Sequence, residues 1–426
     1  MLQPGLTPSA CGGSSSTPPQ ELPQAFTVTR DAAGAVTRQA VEYALTRRTA
    51  VVLAIPYDLA ALEAADEDLP EPTALEVTDD GGTDLARVAR LLASARRPLI
   101  LPGRGAHLAG AGQELRELAD RLGALTAGTA LALNLLKGEG YLGVAGGFGT
   151  DTAAGLMGEA DVVLVAGASL SPFTLRFGHL LGPDSTVIQI DTALQPTNPR
   201  VDLFVQSDVK AAASQLLSLV EGGAAAAAWR EEASMRLIAG PGHDVGSTET
   251  ADGRLDPRAL ATALDAVLPE RRTVVQDGGH FIGWAPMYWG SPRGGGRPNA
   301  GAGLRRRRLP DGSVRPRIVD RCCPQRDVVI YNDAAYGAEI HQYGSQGLTE
   351  KPMLIPEVDF SGVARALGAE SAVIRSLSDL AALQDWIDAG ARGTFVADCR
   401  ITSTVRAPWL SEWMNATRSA KAAVSN

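Results

Sequence analysis

Strands that are apolar along their whole length alternate with amphipathic helices between residues 84 and 221. Parallel strands that are covered by helices on both faces have this composition, whereas half-exposed antiparallel strands alternate apolar with polar residues. The pattern therefore predicts an α/β fold with doubly wound parallel sheets. The predicted strands are 98–106 with its Gly-rich turn, 161–168, 186–192 and 201–208, and the predicted helices are 84–97, 111–126 and 209–221.

A second stretch of the same kind begins at Leu255. Asp256 stands at the capping position and Pro257 in the first turn of a predicted helix over 255–270. Further strands and helices continue the alternation to residue 401. The predicted strands are 273–279, 327–333 and 393–401, and the predicted helices are 359–369 and 377–390.

The N-terminal part of the sequence predicts less structure. Residues 1–25 are rich in Pro, Gly and Ser and lack periodicity, which predicts disorder. A helix over 31–48 and an apolar strand over 50–59 follow, and an acidic, Pro-containing linker covers 63–73. Since one helix and one strand cannot close a core, we expect 26–59 to be the tail of a domain whose front is missing.

Residues 287–326 differ from the rest of the chain. Ten of these forty residues are Arg, and with Asp311 and Asp320 the segment carries a charge of +8, which leaves −17 for the remainder. It has no helical or strand periodicity, although both elements are expected here. Three interpretations are open: a basic arm for a phosphate-rich partner built on Arg305–Arg308, a solvated loop, and a GC-rich gene read out of frame, which we favour. The DNA sequence across these codons tests the last hypothesis.

Composition argues against several classes of protein. No apolar run is long enough to cross a bilayer, and no basic stretch followed by an apolar one begins the sequence, so we expect a soluble, cytoplasmic protein without a membrane partner. The four cysteines form neither a disulfide framework nor a Cys-x-x-Cys metal pair. The net charge of −9 argues against nucleic acid as a general partner.

The predicted strand 327–333 ends in an amide and a carboxylate, Asn332 and Asp333, and the pair Tyr336-Gly337 follows. Open α/β sheets bind ligands at the carboxyl ends of their strands, so this position predicts a cofactor or metal site. An Asx-type turn that caps a helix is the structural alternative.

The segments TVVQDGGHFIGW (273–284) and DVVIYNDAAYGAE (327–339), in this order of elements, resemble the thiamine diphosphate-dependent enzymes of the acetolactate synthase large subunit and benzoylformate decarboxylase type. That family has an N-terminal pyrimidine-binding domain, a central domain and a C-terminal diphosphate-binding domain. The organisation that the resemblance implies is a disordered segment 1–25, a remnant of the N-terminal domain with a linker over 26–72, a central domain 73–222, a linker helix 223–254, a C-terminal domain 255–410 with the aberrant segment inside it, and a tail 411–426.

The resemblance also implies a cofactor site. In the family, a Gly-Asp-Gly turn and a downstream Asn-Asn motif hold a divalent cation on the two phosphates, and oxygen ligands of this kind suit Mg²⁺. By this pattern the side chain of Asp333 and the carbonyl of Ala335 would bind the metal. The implied cofactor-binding residues are Asp277, Gly279, His280, Asn332, Asp333, Tyr336 and Gly337.

Two parts of the family pattern are not matched by this sequence. The Gly-Asp-Gly turn should lie upstream of Asp333, inside the Arg-rich segment, where Asp311-Gly312 is the nearest match. The catalytic glutamate of the family lies early in the N-terminal domain, and no residue of this sequence takes its place. No catalytic residue is therefore assigned.

The central domain carries two further features. Gly103-x-Gly105 precedes a helix but lacks the third glycine of the dinucleotide fingerprint, so packing of a tight turn is the favoured interpretation. By resemblance, FAD is a further candidate cofactor, near residues 167–169 and Asp191. The histidines outside position 280 are too dispersed to predict a metal cluster; they are His107, His179, His243 and His341.

The resemblance implies a thiamine diphosphate- and Mg²⁺-dependent enzyme of the acetolactate synthase type, which decarboxylates a 2-oxo acid and ligates the product to a second carbonyl compound. The cofactor would supply the electron sink for this chemistry. The alternatives are a non-catalytic cofactor-binding or assembly subunit, and a nucleic-acid binder that uses the basic segment. Because the cofactor lies between subunits in the family, a homodimer or tetramer is expected.

Overall fold

The computed structural model of the chain describes residues 24–47, 49–62, 70, 82–220, 227–248, 250–269, 272–290 and 325–424. The chain divides into two compact units, Met1–Thr78 with Ala420–Asn426, and Asp79–Ser419. Most of the Arg-rich segment, residues 291–324, lies outside the described residues, as does the greater part of the predicted disordered segment 1–25.

The first unit contains a small parallel βαβ motif. Its elements are strand β1 (Gln24–Thr27), helix α1 (Ala33–Arg47) and strand β2 (Val51–Ala54). The two strands pair in parallel, with Gln24 opposite Val51, and the helix is the crossover that a parallel pair needs. The predicted helix 31–48 and strand 50–59 are confirmed in type, with shorter bounds.

The second unit contains a six-stranded, wholly parallel sheet with the order β5-β4-β3-β6-β7-β8. The chain begins at the centre of this sheet, moves outward to one edge, returns to the centre and then moves outward to the other edge. This is the doubly wound arrangement, and the predicted fold class is confirmed. The strands are β3 (Pro98–Pro102), β4 (Leu125–Gly128), β5 (Tyr141–Val144), β6 (Val162–Ala166), β7 (Thr186–Asp191) and β8 (Leu203–Gln206).

Helices cover both faces of the six-stranded sheet. In β3, Leu99 and Leu101 belong to the apolar cluster on one face and Ile100 to the cluster on the other, and all three are fully buried. Successive residues of a strand point to opposite faces, so burial on both sides requires an apolar residue at every position. The helices are α2 (Gly82–Ser94), α3 (Arg104–Ala109), α4 (Gly112–Leu122), α5 (Asp151–Gly158), α6 (Val209–Leu219) and α7 (Ala227–Ala239).

A second parallel sheet, with the order β10-β11-β9, lies in the C-terminal half of this unit. Its strands are β9 (Gln325–Asn332), β10 (Glu370–Ile374) and β11 (Gly393–Arg400). Its core surrounds the fully buried side chain of Trp284. The helices of this half are α8 (Pro257–Val267), α9 (Trp284–Tyr288), α10 (Gly337–Tyr343), α11 (Phe360–Ala366), α12 (Ala381–Asp388) and α13 (Pro408–Val424).

The local prediction at Asp256 and Pro257 is confirmed. The Asp256 side chain accepts a hydrogen bond from the N–H of Arg258, and Pro257 is the first residue of α8. This arrangement satisfies a backbone donor that the helix itself leaves unpaired.

Two sequence predictions are wrong in part. Helix α4 ends at Leu122, because Gly123 adopts a left-handed φ of 63° and its N–H bonds back to the carbonyls of Ala119 and Asp120; β4 then occupies the end of the predicted helix 111–126. The predicted strand 273–279 does not form, since within the described residues β9 pairs only with β11. Val275 is 87% exposed there, and an extended segment without a paired neighbour is not a strand.

In the described part of the chain, no helix combines the length and the apolar composition that a membrane crossing requires.

Candidate functional site

Strand β9 ends at Asn332, and the chain then makes a tight turn through Asp333, Ala334 and Ala335. Ala334 has a φ of 55°, a left-handed conformation that costs about 1 kcal/mol for a residue with a Cβ. Two side chains hold the turn: Asn332 Oδ1 accepts from the N–H of Ala334 at 3.3 Å, and Asp333 Oδ1 accepts from the N–H of Ala335 at 3.1 Å. These are Asx-type bonds, but they do not cap α10, whose N-cap Tyr336 makes no side-chain cap bond.

The half-buried carboxylate of Asp333 lies against Gly337. A Cβ at position 337 would collide with Asp333 Oδ2, so the absence of a side chain there makes room for the carboxylate. Burial raises the pKa of the Asp333 carboxyl above its usual value, although the N–H of Ala335 and the charge of Arg254 act in the opposite direction. A bound cation would favour the ionised form of a carboxyl that burial disfavours.

The backbone around Asp333 leaves the carbonyl of Ala335 available. The carbonyl of Ala334 accepts from the N–H of Ile355 at 2.9 Å, and the N–H of Tyr336 donates to the carbonyl of Met353 at 2.8 Å. Ala335 O accepts no backbone hydrogen bond from any described residue. The two predicted metal ligands, the Asp333 carboxylate and the Ala335 carbonyl, therefore fit a hard cation that takes oxygen ligands.

No group of three His, Cys, Asp or Glu residues that could hold a metal occurs among the residues that the structure describes. Asp333 is the one acidic residue in the sequence of the turn, 332–337. A metal bound here would take further oxygens from elsewhere, which is the usual situation of Mg²⁺ on a phosphate ligand. The nearest sequence match to the Gly-Asp-Gly turn, Asp311-Gly312, lies outside the described residues.

His280 lies beside this turn. Its Cβ is 3.9 Å from the position of a Cβ on Gly337, and its Nε2 accepts a hydrogen bond from the N–H of Ala407 at 2.7 Å. Burial, then the neighbouring His341 and the charge of Arg406, lower the pKa of His280 to about 3. The ring is therefore neutral at physiological pH, and the bond to Ala407 fixes Nε2 as its acceptor nitrogen.

A second histidine, His341, lies next to His280, and the sequence analysis did not predict it as a site residue. His341, on α10, packs its ring 4.5 Å from that of His280, centroid to centroid, and is 7% exposed. Its Nε2 is buried and has no hydrogen-bond partner among the described residues. An orphaned acceptor or donor at this place fits a site that a bound group completes. The spacing from Gly337 to His341, four residues and one helical turn, was the available signal.

The other predicted residues have local roles. Asn332 is 5% exposed and donates from Nδ2 to Val358 O and to Asp398 Oδ1, so its side chain is fixed in position at the turn. Gly279 has a φ of 137°, which only glycine adopts readily. Asp277 is exposed and accepts from the adjacent N–H of Gly278. Tyr336 is 59% exposed. The structure thus brings together Asp333, Gly337 and His280, while Asp277 makes only a local contact.

The glycines of the central sheet are used in packing. The loops after β3 and β6 touch: Gly105 N–H donates to Gly167 O at 2.8 Å, and a Cβ on Gly105 would lie 2.8 Å from Gly167 Cα. A Cβ on Gly103 would lie 2.5 Å from the Cβ of Ala168. These contacts support the tight-turn interpretation of Gly103-x-Gly105.

The described chain is thus an α/β protein with a doubly wound parallel sheet and a second parallel sheet, one strand of which ends next to a half-buried carboxylate. Sheets of this kind bind ligands at the carboxyl ends of their strands. Residues 85–216 match the family described as "Thiamine pyrophosphate enzyme, central domain". This part of the chain is similar to the central domain of the thiamine pyrophosphate (thiamine diphosphate) enzymes, and the resemblance predicted from the sequence is confirmed.

Curated relatives extend beyond the central domain. A protein named probable sulfoacetaldehyde acetyltransferase from Rhizobium meliloti (strain 1021) is 28% identical over 67% of this chain and 52% of its own length. The protein named 2-hydroxyacyl-CoA lyase 2 from Homo sapiens is 24% identical over 65% of this chain and 44% of its own. A probable acetolactate synthase large subunit from Methanocaldococcus jannaschii is 27% identical over 47% and 34%. The chain spans about half the length of the first of these relatives and less of the other two.

Proposed function

We propose that the chain binds thiamine diphosphate together with Mg²⁺ at the turn after β9, and that it acts in the decarboxylation of a 2-oxo acid followed by carbon–carbon ligation. The observation that carries the proposal is the Asp333 carboxylate at the carboxyl end of a parallel strand, in a chain whose residues 85–216 match the thiamine pyrophosphate enzyme central domain. Sheets of this kind bind their ligands at that edge.

The chain's own residues have distinct parts in this proposal. The Asp333 side chain and the Ala335 carbonyl would hold the cation, and Gly337 gives the carboxylate its space. His280, neutral and fixed by Ala407, lies beside Gly337 without adding charge. When bound, the cofactor supplies the electron sink for loss of CO₂, and the protein contributes orientation and charge neutralisation.

Two reactions are candidates, and they differ in the compound that accepts the transferred unit. Acetolactate synthase chemistry, with a second 2-oxo acid as acceptor, is the first candidate. Acetyl transfer involving sulfoacetaldehyde is the second, favoured by the relatives that carry this name, of which the one from Castellaniella defragrans is 25% identical over 76% of this chain. Both candidates use a small anionic substrate and the same cofactor site, and a homo-oligomer is the proposed working form.

Calorimetric titration of the full chain with thiamine diphosphate, with and without Mg²⁺, tests the proposal. Saturable, Mg²⁺-dependent binding that Asp333→Asn weakens at least about tenfold is expected, since loss of a charged ligand from a metal site has effects of this size. Asp388→Asn is the matched control, because Asp388 is an exposed aspartate at the end of α12. Absence of binding at millimolar cofactor contradicts the proposal.

Turnover separates the two catalytic candidates from the non-catalytic alternative. Release of CO₂ from pyruvate is measured first, and then product formation with a second 2-oxo acid or with sulfoacetaldehyde. Cofactor binding without CO₂ release favours a cofactor-binding or assembly subunit. Sedimentation analysis of the same samples determines the oligomeric state.

A further inference from the structure

Five residues form a closed ring of hydrogen bonds and ion pairs next to the turn that carries Asp333. Asn332 Nδ2 donates to Asp398 Oδ1 at 2.9 Å, and Asp398 Oδ2 accepts from Arg400 Nη2 at 2.8 Å. Arg400 Nη1 lies 2.9 Å from Glu357 Oε1, and Glu357 Oε2 accepts from Arg254 Nη1 at 2.7 Å. Arg254 Nη2 closes the circuit by donating to the carbonyl of Asn332 at 2.9 Å. We call this set the Asn332 ring.

Asp398 fixes the Asn332 side chain from the interior. It is fully buried near the end of β11, and its second oxygen also accepts from the N–H of Phe360 at 3.0 Å. A carboxylate can only accept, so it selects the amide nitrogen of Asn332 and turns the amide oxygen toward the N–H of Ala334. The left-handed turn thus depends on a residue that is 66 positions away in the sequence.

Arg254 fixes the main chain at the same place. The Asn332 carbonyl accepts from Arg254 Nη2 and from the N–H of Ile401 at 3.1 Å, and Arg254 Nε donates to Ile401 O at 2.7 Å. Main chain and side chain of Asn332 are therefore both held, and the next residue is Asp333. Arg254 is half-buried, and its partner Glu357 is the more exposed member of the ring.

Arg400 is the least satisfied member. It is 3% exposed, its Nε has no acceptor among the described residues, and its N–H groups are not aligned for a hydrogen bond to Glu357 despite the short contact. A buried ion pair such as that of Arg400 with Asp398 can often be replaced by apolar residues without loss of stability. Stability alone does not account for such an arrangement, whereas the precise support of a strained turn does.

We propose that the Asn332 ring is a positioning device for Asp333, and that Arg254 is a positioning residue for cation binding at that carboxylate. This inference rests on the proposed cofactor site. The ring holds residues 332–335 in the one geometry that aims the Asp333 carboxylate and the Ala335 carbonyl, much as groups behind a metal ligand orient it in other sites. Without Arg254 the turn would open, and the two ligand oxygens would separate.

Two measurements on the full chain test this inference. Hydrogen exchange of the Ala334 and Ala335 amides reports the turn itself, because each donates to a side-chain oxygen inside it. Mg²⁺-dependent titration with thiamine diphosphate reports the site. Arg254→Gln is expected to speed exchange at both amides and to weaken binding, each about tenfold, as supporting groups behind metal ligands do.

Arg258→Gln is the matched control. Arg258 lies in the same segment and pairs with Asp256 and Asp244, but it makes no bond to the turn. The control should lower the melting temperature as Arg254→Gln does, while exchange at Ala334 and the cofactor affinity stay within about twofold, because destabilisation away from the turn does not reorient it. Arg254→Lys keeps the charge but not the forked geometry. Its exchange rates and cofactor affinity should therefore lie between those of the wild type and those of Arg254→Gln.

The outcomes separate the two proposals. Unchanged exchange at Ala334 and Ala335 in Arg254→Gln overturns the positioning role, whether or not the wild-type chain binds cofactor. Faster exchange with unchanged affinity overturns it as well, because the ring would then hold a turn that binding does not need. Failure of the wild-type chain to bind cofactor contradicts the proposed function and removes the cation-positioning role, and the exchange result still decides whether the ring holds the turn.

Discussion

The carboxylate of Asp333 lies over the Cα of Gly337, in space that a side chain at position 337 would fill. Sequence analysis gave Gly337 as an implied cofactor-binding residue. In the structure, this glycine accommodates the side chain of Asp333 itself. Any substitution there would push the carboxylate away from the turn.

Gly337→Ala is therefore expected to weaken Mg²⁺-dependent cofactor binding about tenfold or more, as loss of ligand geometry does in metal sites. Stability should change by less than about 1 kcal/mol, since alanine is tolerated in a helix better than glycine. Gly155→Ala is the control, because a Cβ there meets no atom within 4 Å. Calorimetry and thermal melting of both variants check this, and equal affinity of Gly337→Ala and wild type would contradict it.

The depressed pKa of His280 predicts an acid-sensitive fold. The group titrates near 6.5 when exposed and at about 3 in the folded chain, so the unfolded state binds the extra proton first. The stabilisation is present above about pH 6.5 and is lost as the pH falls toward 3, with a slope that approaches about 1.4 kcal/mol per pH unit. Protonation of Nε2 would also break its bond from the N–H of Ala407.

His280→Gln checks this prediction, because the glutamine oxygen can still accept a hydrogen bond but does not titrate. Urea unfolding of both proteins at pH 7, 6, 5 and 4 gives the free energy of unfolding at each pH. The wild-type value should fall more steeply with acid than the value of the variant. If the free energies of unfolding of the two proteins had the same pH dependence, His280 would not contribute to the acid sensitivity.

The sequence was sufficient to predict the doubly wound sheets and the strand that ends at Asn332, because continuous apolar strands and a strand-end carboxylate are local patterns. Four strands escaped prediction. Gln24–Thr27 begins inside the segment 1–25 that composition predicted to be disordered. Leu125–Gly128 and Tyr141–Val144 have four residues each and contain a glycine, so their β signal is weak and only burial at every position identifies them. Glu370–Ile374 is a short strand between two predicted helices, and no element was predicted there.

The residues that hold the candidate site in position could not be predicted from the sequence. Asp398 and Arg400 lie beside Asn332 because the parallel strands β11 and β9 pair. Arg254 and Glu357 come to the same place from loops in distant parts of the chain. Charged residues of these types are usually solvent-exposed, and no spacing relates them. The pairing of His280 with His341 likewise follows from the docking of α10, which sequence periodicity does not fix.

Two arginines of α7 should differ in their effect on stability. Arg230 is 8% exposed and donates to the carbonyls of Ala119 and Ala124 at the C-terminal end of α4, and to Asp120. Arg230→Met is expected to cost about 2–4 kcal/mol, because the Ala124 carbonyl loses both of its bonds from Arg230 and Asp120 loses its partner. Arg236→Met removes surface ion pairs and should cost less than about 1 kcal/mol. Denaturant unfolding measures both, and similar costs would contradict the assignment of Arg230 as a buried cap.

Arg176 combines a strained backbone with two ion pairs. Its φ is 47°, and its guanidinium contacts Asp151 and Glu412. Arg176→Ala and Arg176→Gly both lose the ion pairs, but only glycine relieves the left-handed strain, so the glycine variant should be more stable than the alanine variant by about 1 kcal/mol.

The opposite order is expected at Arg116, which lies inside α4. There the glycine variant should be less stable than the alanine variant by about 1 kcal/mol, because glycine loses more backbone entropy in a helix. Denaturant unfolding of the four variants gives the two differences directly. The same sign at both positions would show that the backbone at Arg176 is unstrained, and the stability of this segment would then come from the ion pairs to Asp151 and Glu412 alone.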